Sequence, residues 1–254
     1  MILLTGILLL GISPAVGSFL GVLVDRLPRG EDVITRPSAC RGCGQALRPR
    51  DLVPVLSYLA LRGRARCCGA KIPPLWPALE LGALLLALIP VLLAQSDLQM
   101  LLGAVFLWLL LALGATDATK MRLPDPLTAA LLLVGLALAW EDPNRSLPAA
   151  ILTALGASAL FWAIRISYFH LRGREGLGLG DVKLIAGLAA ALGAQATPLA
   201  VLVAALCALI FAATGGLIRN RALSASTALP FGSFLCLGAG LVWVWSDLLW
   251  GISL

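Results

Sequence analysis

Charged side chains are scarce in this sequence: Asp, Glu, Lys and Arg together make up 13% of its 254 residues, and there is one histidine. A soluble domain of this length mixes polar and apolar residues far more evenly, so the composition excludes an ordinary soluble fold. The single histidine, His170, leaves no room for a multi-histidine metal site. We predict that it is an interfacial residue or a partner of a helix dipole.

Apolar residues make up 60% of the chain, and the mean hydropathy is +0.96. Apolar runs of about 18 to 22 residues recur, which is the length that a helix needs to cross the hydrocarbon core. The runs do not alternate apolar with polar positions, so lipid-facing strands are disfavoured. The sequence therefore predicts an all-α fold, a polytopic transmembrane helical bundle with about eight spans. The predicted spans are 2–24, 76–95, 98–116, 125–140, 148–168, 182–194, 197–218 and 228–250.

The first apolar run has no basic residues before it, and it ends in Asp25-Arg26-Leu27-Pro28 instead of a small-residue cleavage site. We therefore interpret it as a retained first helix and not as a cleaved signal peptide. The one sizeable polar stretch of the chain follows it. The predicted parts are a first transmembrane helix (1–24), a cysteine-containing loop domain (25–75) and a transmembrane core (76–254).

The basic residues indicate how the spans are oriented. Eighteen of the 19 lie on one side when the eight spans alternate, which leaves only Arg145 on the other side. The positive-inside rule makes the basic side cytoplasmic and places the N-terminus outside. This orientation and the attraction to anionic membrane lipid account for the net charge of +6, so no nucleic-acid partner is predicted. The cytoplasmic set is Arg26, Arg29, Arg36, Arg41, Arg48, Arg50, Arg62, Arg64, Arg66, Lys71, Lys120, Arg122, Arg165, Arg172, Arg174, Lys183, Arg219 and Arg221.

Four of the six cysteines fall in the loop domain, as Cys40 and Cys43 and then as Cys67 and Cys68. A C-x-x-C turn followed by glycine lets two thiolates reach one metal, and a second pair would complete a structural zinc site. The second pair departs from this pattern, because adjacent residues rarely direct both side chains at one ion. The alternative is a loop that packs on lipid headgroups and helix ends, with partial metal ligation or none. The other two cysteines lie in apolar runs and are predicted to be small core residues: Cys207 and Cys236.

Two aspartates are predicted to lie at the cytoplasmic ends of spans. Asp181 begins a helix, where a carboxylate is an ordinary cap. Asp117 ends a helix, where a negative charge opposes the helix dipole, so capping explains it less well. Two carboxylates close together in a partly dry site would share one proton. The pair would then provide a base that activates water and an acid that protonates the leaving amine of a peptide.

The stretch 176–180 before Asp181 alternates glycine and leucine from Gly176 on, and it lacks the preceding strand and the spacing of a dinucleotide-binding motif. Small residues there would let an extended peptide backbone come close. We assign Gly178, Gly180 and Lys183 to the approach of the substrate backbone. The same glycines could instead form a flexible linker or a tight helix contact.

Glu80 is a further costly charge, placed inside the second span near its cytoplasmic end. It could be a snorkelling residue, a partner of loop arginines or part of a functional pocket. A non-enzymatic alternative for the chain is a small proton- or cation-coupled membrane transporter with Asp117 and Asp181 as ion sites. Against this alternative, both acids lie at one face of the membrane and no inverted repeat is evident.

Short motifs occur in a fixed order along nearly the whole chain. They are Gly17-Ser18-Phe19-Leu20, Arg26-Leu27-Pro28, Ser38-Ala39-Cys40-Arg41-Gly42-Cys43, Asp51-Leu52-Val53-Pro54, Ser57-Tyr58-Leu59, Ile72-Pro73-Pro74, Pro77-Ala78-Leu79-Glu80-Leu81, Asp117 with Leu123-Pro124-Asp125, Gly178-Leu179-Gly180-Asp181-Val182-Lys183-Leu184 and Leu229-Pro230-Phe231-Gly232. Together they resemble the prepilin peptidases, a family of membrane aspartic peptidases with a GxGD motif.

The resemblance implies that the chain removes a short basic leader from type IV prepilins or type II secretion pseudopilins at the cytoplasmic face of the bacterial inner membrane. S-adenosylmethionine would then methylate the new N-terminus. Asp117 and Asp181 correspond to the catalytic pair, and Glu80 to a position of possible methyltransferase or loop function. The family's third metal-site cysteine falls on Ala65 here. The presenilin-type GxGD proteases resemble the chain less, because they carry tyrosine at the position of Thr116 and have no cysteine loop.

Overall fold

The structure, a computed structural model, describes residues 2–218 and 229–250, which form helices joined by short connections and one long loop. Those residues contain no strand, and two isolated antiparallel bridges lie in the loop, Ala39–Ala46 and Arg64–Lys71. The all-α prediction is confirmed. The α-helices are α1 (Ile2–Arg26), α2 (Leu56–Ala60), α3 (Leu75–Leu93), α4 (Asp97–Lys120), α5 (Asp125–Glu141), α6 (Leu147–Arg172), α7 (Leu179–Ile218) and α8 (Phe231–Trp250), with short 3-10 helices at Leu27–Arg29 and Pro49–Asp51.

Five of these helices are long and apolar enough to cross a membrane: α1, α3, α4, α6 and α7. Helix α5 has 17 residues, and the apolar stretch Phe231–Ser246 of α8 is also short. A helical membrane protein is therefore confirmed, whereas the predicted count of eight spans is not. Arg219 and Arg221, assigned above to the cytoplasmic side, lie outside the described residues.

The outward faces of the helices carry large apolar side chains. Leu3 is 79% exposed, Leu92 78% and Leu152 69%, whereas small residues such as Ala83 and Ala104 are fully buried between helices. Soluble proteins rarely expose apolar surface in this way. In a bilayer the outer face matches the lipid, and small residues let the helix backbones approach closely.

The chain forms two compact units, Met1–Ala112 and Leu113–Leu254. In the first unit, α1 packs on α3 at Gly17, where an added Cβ would lie 2.5 Å from the Cα of Glu80. The end of α1 holds the long loop through Arg26, a buried arginine. Its guanidinium donates hydrogen bonds of 2.7 to 3.0 Å to three loop carbonyl oxygens, those of Asp32, Arg36 and Pro37.

In the second unit, glycines let the helices make close contact. A Cβ on Gly135 of α5 would lie 2.6 Å from the carbonyl oxygen of Gly187 in α7. A Cβ on Gly238 of α8 would lie 2.5 Å from the carbonyl oxygen of Ala200, also in α7. Larger side chains at these positions would force the backbones apart, so α7 is the helix on which α5 and α8 pack.

Helix α7 is broken at Gly193, whose φ of 78° and ψ of 174° are not helical. The spans predicted as 182–194 and 197–218 correspond to the two halves. Arg145 donates to the carbonyl oxygens of Ala190 and Ala191 at 2.6 and 2.5 Å, just before the break. Through these contacts Arg145 caps the carboxyl end of the first half. Arg145, the one basic residue predicted on the outer side, therefore stabilises the break in α7.

Candidate active site

Asp117 is buried in the last turn of α4, with 7% of its surface exposed. Its Oδ2 atom accepts a hydrogen bond of 2.7 Å from the backbone N–H of Ser233 and one of 3.1 Å from the Ser233 hydroxyl. That hydroxyl also lies 2.8 Å from the carbonyl oxygen of Gly114. Ser233 is the third residue of α8. The N-terminus of α8 thus compensates the negative charge that opposes the dipole of α4.

Asp181 is the third residue of α7 and is 9% exposed. Its Oδ2 atom accepts a hydrogen bond of 3.2 Å from the backbone N–H of Gly178. A carboxylate that reaches back from the third helical position to the residue before the helix makes one half of a capping box. A Cβ on Gly178 would lie 3.2 Å from the same oxygen, so a larger residue would crowd the carboxylate.

The fold brings the two aspartates to one place. Asp117 lies close enough to Asp181 to interact with it electrostatically. The buried thiol of Cys236 lies within electrostatic range of both carboxylates. Cys236 is a small core residue, as predicted.

Leu123, in the connection between α4 and α5, packs against the first turns of α7 and α8. A Cβ on Gly180, next to Asp181, would lie 3.0 Å from the Cβ of Leu123. A Cβ on Gly232, next to Ser233, would lie 3.0 Å from Leu123 Cδ1 and 3.0 Å from the Oδ2 atom of the first aspartate. Both glycines therefore serve close packing around the site.

Helix α6 fixes the glycine-rich stretch before the second aspartate. Arg165 donates to the carbonyl oxygen of Leu177 at 2.7 Å and to Oε1 of Glu175 at 2.6 Å, and its side chain is only 13% exposed. A Cβ on Gly176 would lie 2.5 Å from the ring of Tyr168. The stretch is thus held against α6 and is not a free linker.

Lys183 and Asp125 join the first turns of α7 and α5. The Lys183 Nζ atom lies 2.7 Å from Oδ1 of Asp125, and both side chains are more than half exposed. An exposed ion pair contributes little to the free energy of unfolding. This pair nonetheless links the motif that contains the second aspartate to the segment that follows the first.

Glu80 of α3 is buried, at 9% exposure, and its Oε2 atom accepts a hydrogen bond of 2.7 Å from the backbone N–H of Val55. Val55 precedes α2 and has a φ of 60°, which a β-branched residue rarely adopts. The carboxylate therefore holds a strained turn of the loop against α3. This contact supports a loop function for Glu80.

The four cysteines of the loop come together. Their sulfur atoms all lie within 4.8 Å of one another. The closest pairs are Cys43–Cys67 at 3.3 Å, Cys40–Cys68 at 3.7 Å and Cys67–Cys68 at 3.9 Å. Four thiolates around a tetrahedral zinc ion lie about 3.8 Å apart. The adjacent residues Cys67 and Cys68 both direct their sulfur atoms into the cluster, although adjacency made this arrangement unexpected, and the cluster could hold a metal ion.

Backbone hydrogen bonds favour the thiolate form of one cysteine in this cluster. The N–H groups of Cys43 and Gly42 donate to the Cys40 sulfur and lower the pKa of that thiol to about 7. Hydrogen bonding to Cys43 instead raises the pKa of Cys67 to about 12. Because a metal binds the thiolate, a bound cation would favour the deprotonated form of all four groups.

Helices with an apolar outer surface and two buried aspartates at helix ends define a polytopic membrane protein with a two-carboxylate site. Two family comparisons agree with this class. Residues 11–94 match the Bacterial Peptidase A24 N-terminal domain, and residues 104–213 match the Type IV leader peptidase family. The chain belongs to the type IV leader peptidase family. The resemblance predicted from the ordered motifs is thereby confirmed.

Several relatives are similar to the chain over most of its length, and each is named prepilin leader peptidase/N-methyltransferase. The protein from Dickeya chrysanthemi is 37% identical over 263 residues, covering 94% of this chain and 91% of the relative. The one from Aeromonas salmonicida strain A449 is 32% identical, covering 95% and 89%. The one from Burkholderia pseudomallei strain 1026b is 40% identical, covering 84% and 69%. No solved structure matches significantly. A membrane transporter finds no support among these relatives.

Sequence reasoning missed two residues of the site. Ser233 directly follows the motif Leu229-Pro230-Phe231-Gly232, and a hydroxyl residue in the first turn of a helix was the available signal. Arg165 belongs to no motif. Its only signal was a charge placed within the predicted span 148–168, where a charge requires a partner.

Proposed function

We propose that the chain is a membrane-embedded aspartic endopeptidase that removes the short basic leader of type IV prepilins or type II secretion pseudopilins and then methylates the new N-terminus. One observation carries the proposal: two buried carboxylates, Asp117 and Asp181, meet at the ends of different helices, each held by a backbone N–H donor. This arrangement suits proton transfer at a peptide bond.

Asp117 and Asp181 act as a pair that holds one proton between them, because two nearby carboxylates in a partly dry site do not both ionise easily. The ionised carboxylate takes a proton from water, and the hydroxide formed attacks the scissile carbonyl carbon. The protonated carboxyl donates its proton to the leaving amine as the C–N bond breaks. The donors from Ser233 and Gly178 fix one oxygen of each carboxylate during these steps.

The glycine-rich stretch guides the substrate. An extended peptide backbone runs past Gly178, whose missing side chain leaves room beside the Asp181 carboxylate. Gly180 contributes by letting Leu123 pack closely, and Lys183 contributes by holding α5 through Asp125. These tasks refine the assignment of all three residues to the approach of the substrate backbone.

S-adenosylmethionine is the methyl donor and enters as a co-substrate. The support is the name that the relatives carry, which combines leader peptidase with N-methyltransferase. Glu80 acts in this protein by holding the loop at Val55. Its substitution affects methyl transfer only through the position of that loop.

The protein is placed in the bacterial inner membrane with its N-terminus outside and both aspartates at the cytoplasmic face. The distribution of basic residues supports this orientation. The first helix (1–24) anchors the chain, the cysteine-containing loop (25–75) lies in the cytoplasm, and the remaining part (76–254) is the peptidase core. Prepilin N-terminal segments are the substrates, and membrane lipid surrounds the helices.

Cys40, Cys43, Cys67 and Cys68 hold a structural zinc ion. The geometry supports this, because the four sulfur atoms all lie within 4.8 Å of one another and are close enough to bind one ion. Zinc would close the loop and leave no open position for chemistry. Its task is therefore to stabilise the loop and not to activate water.

The test uses purified protein and a peptide with a basic leader followed by an apolar segment. We expect Asp117→Asn and Asp181→Asn each to lower the cleavage rate by about 1,000-fold or more. Asp142→Asn is the matched control, because Asp142 lies in the connection between α5 and α6. Cleavage that survives both substitutions would overturn the mechanism. Labelled S-adenosylmethionine with an already cleaved peptide measures methyl transfer separately, and both variants should retain it.

A further inference from the structure

The cysteine loop contains the same backbone turn twice. We call residues 39–46 the first knuckle and residues 64–71 the second knuckle. Each is closed by one antiparallel bridge, and the two bridges are 25 positions apart. Three backbone hydrogen bonds of 2.8 Å recur with the same shift. They run from Cys40 N–H to Gln45 O, Gly44 N–H to Cys40 O and Leu47 N–H to Ser38 O, and again from Ala65 N–H to Ala70 O, Gly69 N–H to Ala65 O and Ile72 N–H to Gly63 O.

The glycine that ends each turn confirms that the knuckles are equivalent. Gly44 has a φ of 76° and Gly69 a φ of 71°, a left-handed conformation that favours glycine. Every position of one knuckle therefore has a defined counterpart in the other. The fourth residue of the turn is a cysteine in both, as Cys43 and Cys68.

The knuckles differ in where they carry their other cysteine. The first knuckle has it at the first position of the turn, as Cys40, whose counterpart is Ala65. The second knuckle has it at the third position, as Cys67, whose counterpart is Gly42. Each knuckle therefore supplies two sulfur atoms, from different pairs of positions.

The third position of a knuckle faces the sulfur atoms. A Cβ added to Gly42 would lie 3.2 Å from the sulfur of Cys68 and 3.7 Å from that of Cys40. Because the two turns have the same backbone, the side chain at the third position of the second knuckle also faces the sulfur atoms. The sulfur of Cys67 does lie in the cluster, 3.3 Å from that of Cys43. This direction explains how two adjacent cysteines reach one centre.

The second position, in contrast, faces away from the cluster. The side chain of Arg66 pairs with Asp51 at 2.8 Å, and that of its counterpart Arg41 reaches Asp25 and Glu31. A knuckle thus offers three positions that can direct a thiolate at the metal, the first, third and fourth, and one that cannot.

We infer that the second knuckle supplies one of its two metal ligands from its third position, Cys67, and that the first position of the same turn, residue 65, can supply this ligand instead. The inference rests on the proposed metal centre. It predicts that the double variant Ala65→Cys/Cys67→Ala still binds the metal through four thiolates.

The experiment compares the wild type, Cys67→Ala, the double variant Ala65→Cys/Cys67→Ala and the double variant Arg66→Cys/Cys67→Ala. The last is the matched control, because it has the same number of cysteines with the thiol at the position that faces away. Each protein is purified under reducing conditions and titrated with cobalt(II), whose sulfur charge-transfer band grows with the number of thiolate ligands. Zinc affinity is then measured by competition against the bound cobalt.

We expect a four-thiolate spectrum for the wild type and for Ala65→Cys/Cys67→Ala, with zinc affinities within about tenfold of each other. Cys67→Ala and the control double variant should show three thiolates and bind at least about 100-fold more weakly. Helical circular dichroism and a single peak on gel filtration establish that each variant is folded. Cys67→Ser provides a second removal of the thiol at nearly constant volume.

Three results would overturn the inference. A four-thiolate spectrum in Cys67→Ala would mean that Cys67 is not a ligand. A three-thiolate spectrum in Ala65→Cys/Cys67→Ala would mean that position 65 cannot supply one. A wild type that binds no metal under reducing conditions would remove the metal centre from the proposed function, and this inference would fall with it, while cleavage by the aspartate pair would be unaffected.

Discussion

The two clusters of reactive side chains in this protein are built in different ways. Asp117 and Asp181 stand on helix ends, and their positions follow from the packing of glycine-lined helices. The four cysteines stand on two turns of a loop with little regular structure, where single hydrogen bonds set the geometry. The aspartate site therefore depends on helix packing, whereas the cysteine cluster depends on local bonds and on the metal that we propose there.

Removing the metal should have a large effect, and it should act on the loop alone. Structural zinc contributes on the order of 10 kcal/mol to the folding of small domains, so we expect chelation to raise subtilisin cleavage within 25–75 by more than about 100-fold. Cys40→Ser should reproduce the effect, and Cys207→Ser, in α7, should not. If metal analysis verified that the metal was gone and the loop still resisted subtilisin as well as in the metal-bound protein, the cysteine cluster would not depend on a metal.

Disrupting a helix contact should damage the aspartate site without loss of metal. Gly135→Leu places a side chain where a Cβ already lies 2.6 Å from backbone, so we expect a loss of about 3 kcal/mol in unfolding free energy and a lower cleavage rate. Gly156→Leu in α6 is the control, since nothing lies within 4 Å of that position. Thermal unfolding in detergent measures both. A similar midpoint for the two variants would show that glycine contacts do not determine the site.

Removing one donor at the aspartate site should have a moderate effect. Ser233→Ala keeps the backbone N–H but removes the hydroxyl 3.1 Å from the Asp117 carboxylate, so we expect kcat to fall by about 10- to 100-fold. Ser233→Thr keeps a hydroxyl and should recover most of the rate. Ser246→Ala, in the same helix, serves as the control because its hydroxyl donates to the carbonyl oxygen of Trp243. An unchanged kcat in Ser233→Ala would remove the hydroxyl from the mechanism.

The smallest effect distinguishes two arginines of the loop. Arg26→Met leaves three carbonyl oxygens without their donor, and we expect subtilisin cleavage of the loop to rise about tenfold. Arg41→Met breaks ion pairs of a side chain that is 46% exposed, so cleavage should stay within about twofold. High salt should reduce only the Arg41 effect. Equal effects would mean that surface charge, and not backbone capping, fixes the loop.

The elements themselves were predictable because their signals are local. Apolar runs gave the helices, and the break of α7 at Gly193 falls between two separately predicted spans. The cap made by Asp181 was likewise visible, since helix N-termini attract carboxylates. What encloses Asp117 was not predictable, because Ser233 lies 116 residues further along the chain and is brought there by helix packing.

The cysteines show a second limit of sequence reasoning. Adjacency argued against a shared metal for Cys67 and Cys68, because neighbouring side chains diverge in regular structure. The backbone of the second knuckle is a tight turn, and its third and fourth positions face the same centre. The direction of a side chain in a turn follows from hydrogen bonds that no single residue specifies.

Because Ser233 belongs to α8, the aspartate site is assembled only after α8 has been synthesised. The matched segment 104–213 contains both aspartates but ends before α8 begins at Phe231. A chain that has been synthesised only to the end of α7 therefore has its reactive groups but cannot hold Asp117 as the finished protein does. We therefore expect the Asp117 carboxylate to gain its two donors from Ser233 only once α8 has packed against α4.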